Sequence, residues 1–257
     1  MNVLAEVRTK LKNDGVKATI IAILIFPFSL HRRLMYRDML KQRSAKQKFS
    51  AIYQNNFWRS PESSSGEGSE VSYTKILRNW LVLAIPKYNV HTFVDAPCGD
   101  FNWMQLVLPK VDIEYFGFDI VDSVICKNKK EFSNSAVHFG VADICEDELP
   151  SCDFLMVRDC LFHLSNEDID RFLKNISCVD YKYLLTTTHI VDSTHNNLDI
   201  STGDFRFVDL FSAPFCFDNN SVIERINDYP VGHNAPREMI LIAKVDVPQQ
   251  LVRNVLL

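Results

Sequence analysis

Three aspartates stand where short apolar runs end, a placement that can hold a ligand at one edge of a sheet. Asp95, Asp119 and Asp143 each close a run that is typical of a strand. The carboxyl ends of parallel strands meet at the same edge, where ligands of α/β sheets bind. The spacing therefore predicts three carboxylates in register, laid along a single ligand.

The turn after Asp95 indicates which class of ligand can bind there. Its sequence is Ala-Pro-Cys-Gly-Asp-Phe, and Gly99 is the only glycine in it. A pyrophosphate cradle needs several backbone amides without a Cβ in the way, as in GxGxxG. Asp100 would also repel a phosphate. A phosphate-free cofactor with a positive centre and an amino-acid tail fits better, and S-adenosyl-L-methionine is such a cofactor.

Each aspartate then has an expected contact with the cofactor. Asp95 or Asp100 would attract its ammonium group. Asp119 would accept hydrogen bonds from both ribose hydroxyls. Asp143 would accept from the adenine amine, with Ile144 packed on the ring. The other cofactor-binding candidates are Cys98, Gly99, Trp103 and Ile120, which follow these aspartates closely, and Arg158, which follows the fourth predicted strand. Trp103 could equally belong to the core.

Residues after the fourth predicted strand lie where the acceptor, the molecule that receives the methyl group of the cofactor, would bind. His163 is a candidate general base for a hydroxyl, because the ordinary pKa of histidine lies near neutrality. The alternative is a structural histidine that packs beside Leu161 and Leu164. Asp159 is the second candidate base. Methyl transfer itself depends mostly on in-line placement, so a base matters only if the acceptor must lose a proton.

Two further stretches are candidates for acceptor binding. The Ser/Gly-rich loop Trp58–Ser69 begins with aromatic and charged residues that a plain linker does not need. The long loop Asp192–Asn220 carries five phenylalanines, which argue against disorder. The candidate substrate-binding residues are Trp58, Arg59, His189 and Arg206. Arg206 could instead hold its own loop in place through Asp204 or Asp209. No set of residues has the spacing of a metal site.

The periodicity predicts an α/β fold: a Rossmann-like, seven-stranded, mostly parallel sheet with an antiparallel last strand, preceded by an N-terminal helical arm. We expect a basic helical arm over residues 1–56 and the main domain over 57–257. Strands are predicted at 91–95, 114–119, 137–142, 153–157, 181–188, 222–226 and 237–245, and helices at 70–85, 101–108, 121–130 and 166–176.

The arm differs from the domain in charge. The first 60 residues carry a formal charge of +9 and the remainder −13. The apolar stretch Ala18–Leu30 is too short to span a bilayer, which takes about 20 residues. We therefore expect a cytoplasmic protein with peripheral contact at the inner membrane face, or else a solvated basic helix. Seven cysteines without a CxxC pair favour a reducing compartment.

From about Trp80 to Val245 the chain resembles the class I S-adenosylmethionine-dependent methyltransferases. Pro97 and Phe101 stand where that family usually has glycines. The particular motifs resemble a subgroup linked to bacterial surface-polysaccharide biosynthesis: Asp95-x-Pro-Cys-Gly-Asp100, Trp58…Glu62-Ser-x-Ser-Gly-x-Gly-Ser69 and Asn197-x-Asp-Ile-x-x-Gly-x-x-Arg206…Leu210…Pro214-Phe215. This resemblance implies O-methylation of a glycan or sugar hydroxyl.

Other functions stay open. The acceptor could be a small molecule or a protein, or the chain could be a non-catalytic partner of a glycosyltransferase. A nucleic-acid substrate is disfavoured because the domain is acidic. In addition, Arg158-Asp159-Cys160-Leu161 replaces the Asn-Pro-Pro-Tyr/Phe type of motif.

Overall fold

The computed structural model describes residues 34–229 and 236–252. The chain divides into two compact units, Met1–Gln42 and Arg43–Leu257. In the first unit, residues 34–40 are helical. The expectations for the apolar stretch Ala18–Leu30 fall outside the described residues. Within the described part of the chain, we find no helix long and apolar enough to cross a membrane.

The second unit is built on a seven-stranded sheet, as the sequence predicts. The strand order is β3-β2-β1-β4-β5-β7-β6. β1 to β5 are parallel, and β7 runs antiparallel between β5 and β6. The strands are β1 Thr92–Asp95, β2 Glu114–Asp119, β3 Val137–Val141, β4 Cys152–Val157, β5 Tyr181–His189, β6 Val222–Asn227 and β7 Arg237–Ala243. Each predicted strand end lies within two residues of the observed one.

Two apolar layers enclose the sheet because its central strands alternate their side chains between both faces. In β4, Leu155 packs into one layer and Phe154 and Met156 into the other. All six residues of β4 are buried. The carboxyl ends of the parallel strands, where the candidate residues lie, are therefore held by a rigid base.

The helices of this unit are α1 Ala45–Gln54, α2 Lys75–Lys87, α3 Asp122–Phe132 and α4 Asn166–Cys178. The start of α4 confirms the predicted cap, since the Ser165 side chain accepts a hydrogen bond from the Asp168 backbone N–H. The buried side of α4 follows the helical repeat through Ile169, Phe172, Leu173 and Ile176.

One helix prediction was wrong, and another placed the start of its helix too early. The segment predicted as a helix at 101–108 forms two 3₁₀ turns, Met104–Leu106 and Leu108–Lys110. Phe101 has a φ of +60°, outside the helical region. The helix predicted at 70–85 forms as α2 but begins only at Lys75; ahead of it, the Val71 N–H donates to the Glu62 side chain at 2.8 Å.

The predicted boundary of the N-terminal arm also differs from the structure. Ser44 caps α1 through the Gln47 backbone N–H, so the basic stretch is not one continuous helix. The compact unit that holds the sheet begins at Arg43 rather than Phe57. α1 is therefore part of the same unit as the sheet.

Candidate functional site

A cavity of about 590 Å³ lies at the carboxyl ends of β2, β3 and β4. Its volume is in the usual range for a small-molecule site. One wall is the sheet edge, formed by Pro97, Asp119, Ile120, Ala142, Asp143, Ile144, Asp159, Cys160 and His163. Another part of the wall comes from α1 and the residues around it, including Ser44, Phe49, Tyr53 and Trp58.

Asp119 lies in the cavity wall with its carboxylate held in place. Its Oδ1 accepts from the Val121 N–H at 2.9 Å and its Oδ2 from the Gly99 N–H at 3.2 Å. Burial raises the pKa of Asp119 to about 6. A carboxylate can accept about four hydrogen bonds, so this fixed group can accept more from a ligand.

Asp143 and Ile144 line the cavity next to Asp119, beyond the end of β3. The Asp143 Oδ1 accepts from the Cys145 N–H at 2.9 Å, which orients the side chain. Ile144 is buried and supplies an apolar surface. Ile120 is a further residue of this wall. These residues, all predicted from the sequence to bind the cofactor, therefore line one cavity together.

Asp95 is not in the cavity wall, and the expected register of three carboxylates is wrong. Asp95 pairs with Gly117, whereas Asp119, two residues further along β2, pairs with Val141. The Asp95 Oδ2 accepts from the Tyr115 hydroxyl at 2.8 Å inside the core. Burial raises its pKa to about 7. Because the strands are staggered, the Asp95 carboxylate lies short of the sheet edge that lines the cavity.

Asp100 is bonded to the chain itself. Its carboxylate accepts hydrogen bonds from the backbone or side chains of Ser63, Ser64 and Ser65 at 2.7 to 3.1 Å. We call residues 60–69 the serine loop. The Asp100 N–H in turn donates to the Ser65 Oγ at 2.9 Å. The carboxylate expected to attract an ammonium group therefore anchors the serine loop.

The neighbours of Asp100 also serve the local packing. Gly99 has a φ of +56°, and a Cβ there would clash with the Ser65 Oγ. Its carbonyl accepts from the Asn128 side chain at 2.8 Å. Cys98 and Trp103 are buried, and neither belongs to the cavity wall. The glycine thus permits close approach of the serine loop.

A buried ionic network lies behind the end of β4. Arg158 donates to the Asp228 carboxylate at 2.8 Å and to the Gly68 carbonyl at 2.7 Å. Arg237 donates to the Asp159 Oδ2 at 2.6 Å. Arg158 is thus bound within the protein and is absent from the cavity wall.

Asp159 does line the cavity, but it is a poor base. Burial would raise its pKa, yet Arg158 and Arg237 outweigh that effect and hold the pKa of Asp159 below its usual range. A carboxylate that stays ionised beside two arginines can orient a hydrogen-bond donor. It has little tendency to remove a proton.

His163 lies in the cavity wall in a defined tautomer. Its Nδ1 is 2.8 Å from the Asp204 carbonyl oxygen, which can only accept, so Nδ1 carries the hydrogen. Burial lowers the pKa of His163, which keeps the ring neutral. Its Nε2 is then an acceptor. Among the described residues this atom has no hydrogen-bond partner. It is also not buried, so a ligand can reach it.

Of the four predicted substrate-binding residues, the structure places only Trp58 at the cavity. Its ring centroid is 5.7 Å from that of His163. Arg59 is exposed and outside the wall. His189 is buried and accepts from the Val208 N–H at 3.1 Å. Arg206 donates to the Leu164 and Leu198 carbonyls and so fixes its own loop, through these carbonyls rather than through Asp204 or Asp209.

Sequence reasoning missed the contribution of α1. Tyr53 lines the cavity, and its hydroxyl lies 2.9 Å from the Ser65 Oγ. The rings of Tyr53 and Trp58 pack edge to face at 5.3 Å. The short spacing of these aromatics was the available signal, but assigning residues 1–56 to a separate arm concealed it.

Comparison with known proteins gives a likeness of structure. Neither a protein-family model nor a curated protein matches this sequence. Human N-acetylserotonin methyltransferase in complex with S-adenosylmethionine matches with a TM-score of 0.54 and 14% identity, over 85% of this chain and 68% of that one. The chain has the class I methyltransferase fold.

Two further solved structures agree on this fold. Magnesium protoporphyrin IX methyltransferase from Synechocystis PCC 6803 has a TM-score of 0.53 and 10% identity, covering 79% of this chain and 98% of that one. A Leishmania major S-adenosylmethionine-dependent methyltransferase has a TM-score of 0.54 and 17% identity, covering 82% and 90%. Within residues 34–229 and 236–252 of this methyltransferase fold, no three His, Cys, Asp or Glu side chains cluster as a metal site.

Proposed function

We propose that this chain is an S-adenosylmethionine-dependent methyltransferase that methylates a hydroxyl of a surface glycan or of its lipid-linked precursor. The observation that carries the proposal is the shared cavity. Asp119, suited to ribose hydroxyls, and His163, an available proton acceptor, line the same space at the sheet edge.

The residues that line the cavity fit the adenosine half of this cofactor. Asp119 offers a fixed carboxylate, Asp143 a second acceptor, and Ile120 and Ile144 apolar surface. The turn after β1 contains a single glycine, Gly99, and the serine loop occupies the space beside it. This turn is therefore unsuited to binding a phosphate. When bound, the cofactor supplies an electrophilic methyl group on a positively charged sulfur.

On the acceptor side, the protein supplies placement and a base. The Nε2 of neutral His163 accepts the hydroxyl proton, while its Nδ1–H stays fixed on the Asp204 carbonyl. Asp159, held ionised by two arginines, accepts a hydrogen bond and orients the acceptor. Trp58, packed near His163, helps to exclude water.

The choice of a glycan rests on the sequence motifs and on the charge of the chain. The serine loop and Arg206 belong to the motifs that resemble the polysaccharide-linked subgroup. The basic N-terminal 60 residues favour peripheral contact with an anionic membrane at the cytoplasmic face, which fits a lipid-linked acceptor.

Calorimetry with S-adenosylhomocysteine tests the cofactor half of the proposal. We expect Asp119→Ala to weaken binding about 10- to 100-fold, because hydrogen bonds to a charged group contribute about 1.5–3 kcal/mol. Asp112→Ala, which removes an exposed carboxylate before β2, is the matched control and should bind normally. Absence of binding to the unaltered protein would sink the proposal and favour a non-catalytic partner role.

Transfer of a labelled methyl group tests the acceptor half. The protein would be incubated with labelled cofactor and, separately, lipid-linked glycan, low-mass metabolites and protein from a cell extract. Label in the glycan fraction is expected. Label confined to the low-mass or protein fraction would overturn the glycan assignment and leave methyl transfer intact.

A further inference from the structure

One segment of the long loop reverses the usual arrangement of polar and apolar side chains. Arg206 is 7% exposed, while its neighbours Phe205 and Phe207 are 47% and 42% exposed. Burying an arginine and exposing two phenylalanines is unfavourable in both respects. Such an arrangement needs a compensating reason, and contiguous exposed apolar surface commonly marks a binding site.

The exposure of these rings does not come from a loose loop. Arg206 donates to the Leu164 and Leu198 carbonyls at 2.8 and 2.6 Å. The Arg206 backbone N–H donates to the Phe162 carbonyl, and the Gly203 N–H to the His163 carbonyl. The loop is therefore fixed on both sides of Phe205, and the rings are presented in a defined position.

The two phenylalanines adjoin two histidines. Phe205 packs against His163 at 5.8 Å and His189 at 6.1 Å, and Phe207 packs against His189 at 5.1 Å. The two phenylalanine rings meet at 86°. We call these four side chains the aromatic shelf. His163 also lines the cavity, so the aromatic shelf adjoins the proposed site of methyl transfer.

The histidines present opposite hydrogen-bonding groups. The Nδ1 of His163 donates to a carbonyl, which leaves Nε2 as an acceptor. The Nδ1 of His189 accepts from the Val208 N–H, so in the neutral ring Nε2 carries the hydrogen. Neither Nε2 has a hydrogen-bond partner within the described chain. Neither atom is buried, so both are accessible to a ligand. The aromatic shelf thus offers one acceptor and one donor beside two ring surfaces.

These features select among possible occupants. A lipid chain or a plain hydrocarbon ring would leave both imidazole nitrogens unmatched, at a cost in free energy. A pyranose ring has a C–H face that suits the negative face of an aromatic ring. Its hydroxyls both donate and accept. We propose that the aromatic shelf binds a pyranose ring of the acceptor and holds one hydroxyl at His163.

This inference rests on the proposed function, but it can be tested without turnover. Saturation-transfer NMR would measure contact with methyl glucopyranoside, methyl mannopyranoside and methyl rhamnopyranoside in the presence of S-adenosylhomocysteine. At least one glycoside should show saturation of its ring protons. Phe205→Ala and Phe207→Ala should each lower the signal at least fivefold. Leu83→Ala, which shortens a more exposed apolar residue on α2, should leave it unchanged.

Melting temperature and S-adenosylhomocysteine affinity would be measured for every variant. They separate a folding defect or a failed cofactor site from a failed sugar site. The inference is overturned if no glycoside is saturated, or if the phenylalanine variants match the unaltered protein. It is also overturned if cyclohexanol or benzyl alcohol gives as strong a signal as the glycosides.

Two other occupants have distinct signatures. If the phenylalanines enter a membrane, Phe205→Ala will reduce sedimentation with anionic phospholipid vesicles without changing the sugar signal. If they bind a second copy of the chain, the variant will lower the mass measured by light scattering. Either result in place of the sugar effect would refute the inference.

Discussion

At the scale of single residues, the strand-end aspartates show how position along a strand decides the role of a carboxylate. Asp119 reaches the cavity wall, while Asp95 ends within the core against Tyr115. Both are buried, and burial raises the pKa of both. The difference between them is whether a ligand can share the carboxylate.

Asp95 gives a prediction about stability and pH. Its pKa is about 7 in the folded protein, above the value of about 3.9 expected for an unfolded chain. Between these values the folded state keeps a proton that the unfolded state has lost. The free energy of unfolding therefore falls as pH rises through this window, by up to about 4 kcal/mol for a shift of about three units.

Asp95→Asn removes this titration and keeps an oxygen for the Tyr115 hydroxyl. We expect it to stabilise the protein at pH 8 and to have little effect at pH 4, as measured by urea denaturation. Affinity for S-adenosylhomocysteine should stay the same, because Asp95 is outside the cavity wall. The same change in stability at both pH values would contradict the buried-charge explanation.

At the scale of elements, the serine loop and the β1 turn fit each other closely. Gly99 has a positive φ, and its backbone lies against Ser65. Gly99→Ala should destabilise the protein by about 1–3 kcal/mol, because it adds both backbone strain and a clash. Ser65→Ala removes the clashing oxygen, so the double variant should be less unstable than the two single losses added together.

A double-mutant cycle by urea denaturation measures this coupling. Gly140→Ala serves as a comparison, since its new Cβ would clash with the Phe118 side chain in a different part of the sheet. It should show no coupling with Ser65→Ala. Strict additivity at Gly99 would mean that the positive φ alone requires glycine there.

The elements that could be predicted from the sequence are those determined by residues close together along the chain. The strands follow from apolar runs, and the α4 cap follows from Ser165 and Asp168, three residues apart. The partners of Asp100 could not be predicted, because Ser63 to Ser65 lie about 35 residues earlier and no local rule joins them. The hydrogen-bond partner of His163, Asp204, lies 41 residues away and was missed for the same reason.

At the scale of the whole domain, one ionic network joins three distant parts of the chain. Arg158 links the end of β4 to Asp228 after β6 and to Gly68 of the serine loop. Arg237 of β7 closes the network on Asp159, which lies in the cavity wall. The β6–β7 hairpin thereby contributes to the position and charge of a residue in the candidate site.

This network predicts a large effect from loss of one arginine. The four charges balance, and Arg158, Asp228 and Arg237 are almost fully buried. Arg237→Gln leaves an excess buried negative charge, so we expect a loss of about 3–5 kcal/mol in urea denaturation. Asp159→Asn in the same chain should restore part of that loss, because it removes the unbalanced charge.

Hydrogen exchange distinguishes a network effect from a local one. Arg237→Gln should speed exchange in the serine loop as well as in the hairpin, because Arg158 spans from Asp228 to the Gly68 carbonyl. Arg225→Gln, which removes a more exposed arginine of the same hairpin, should affect the hairpin alone. If exchange in the serine loop stays unchanged in Arg237→Gln, the hairpin and the loop are stabilised independently, and the network does not couple them.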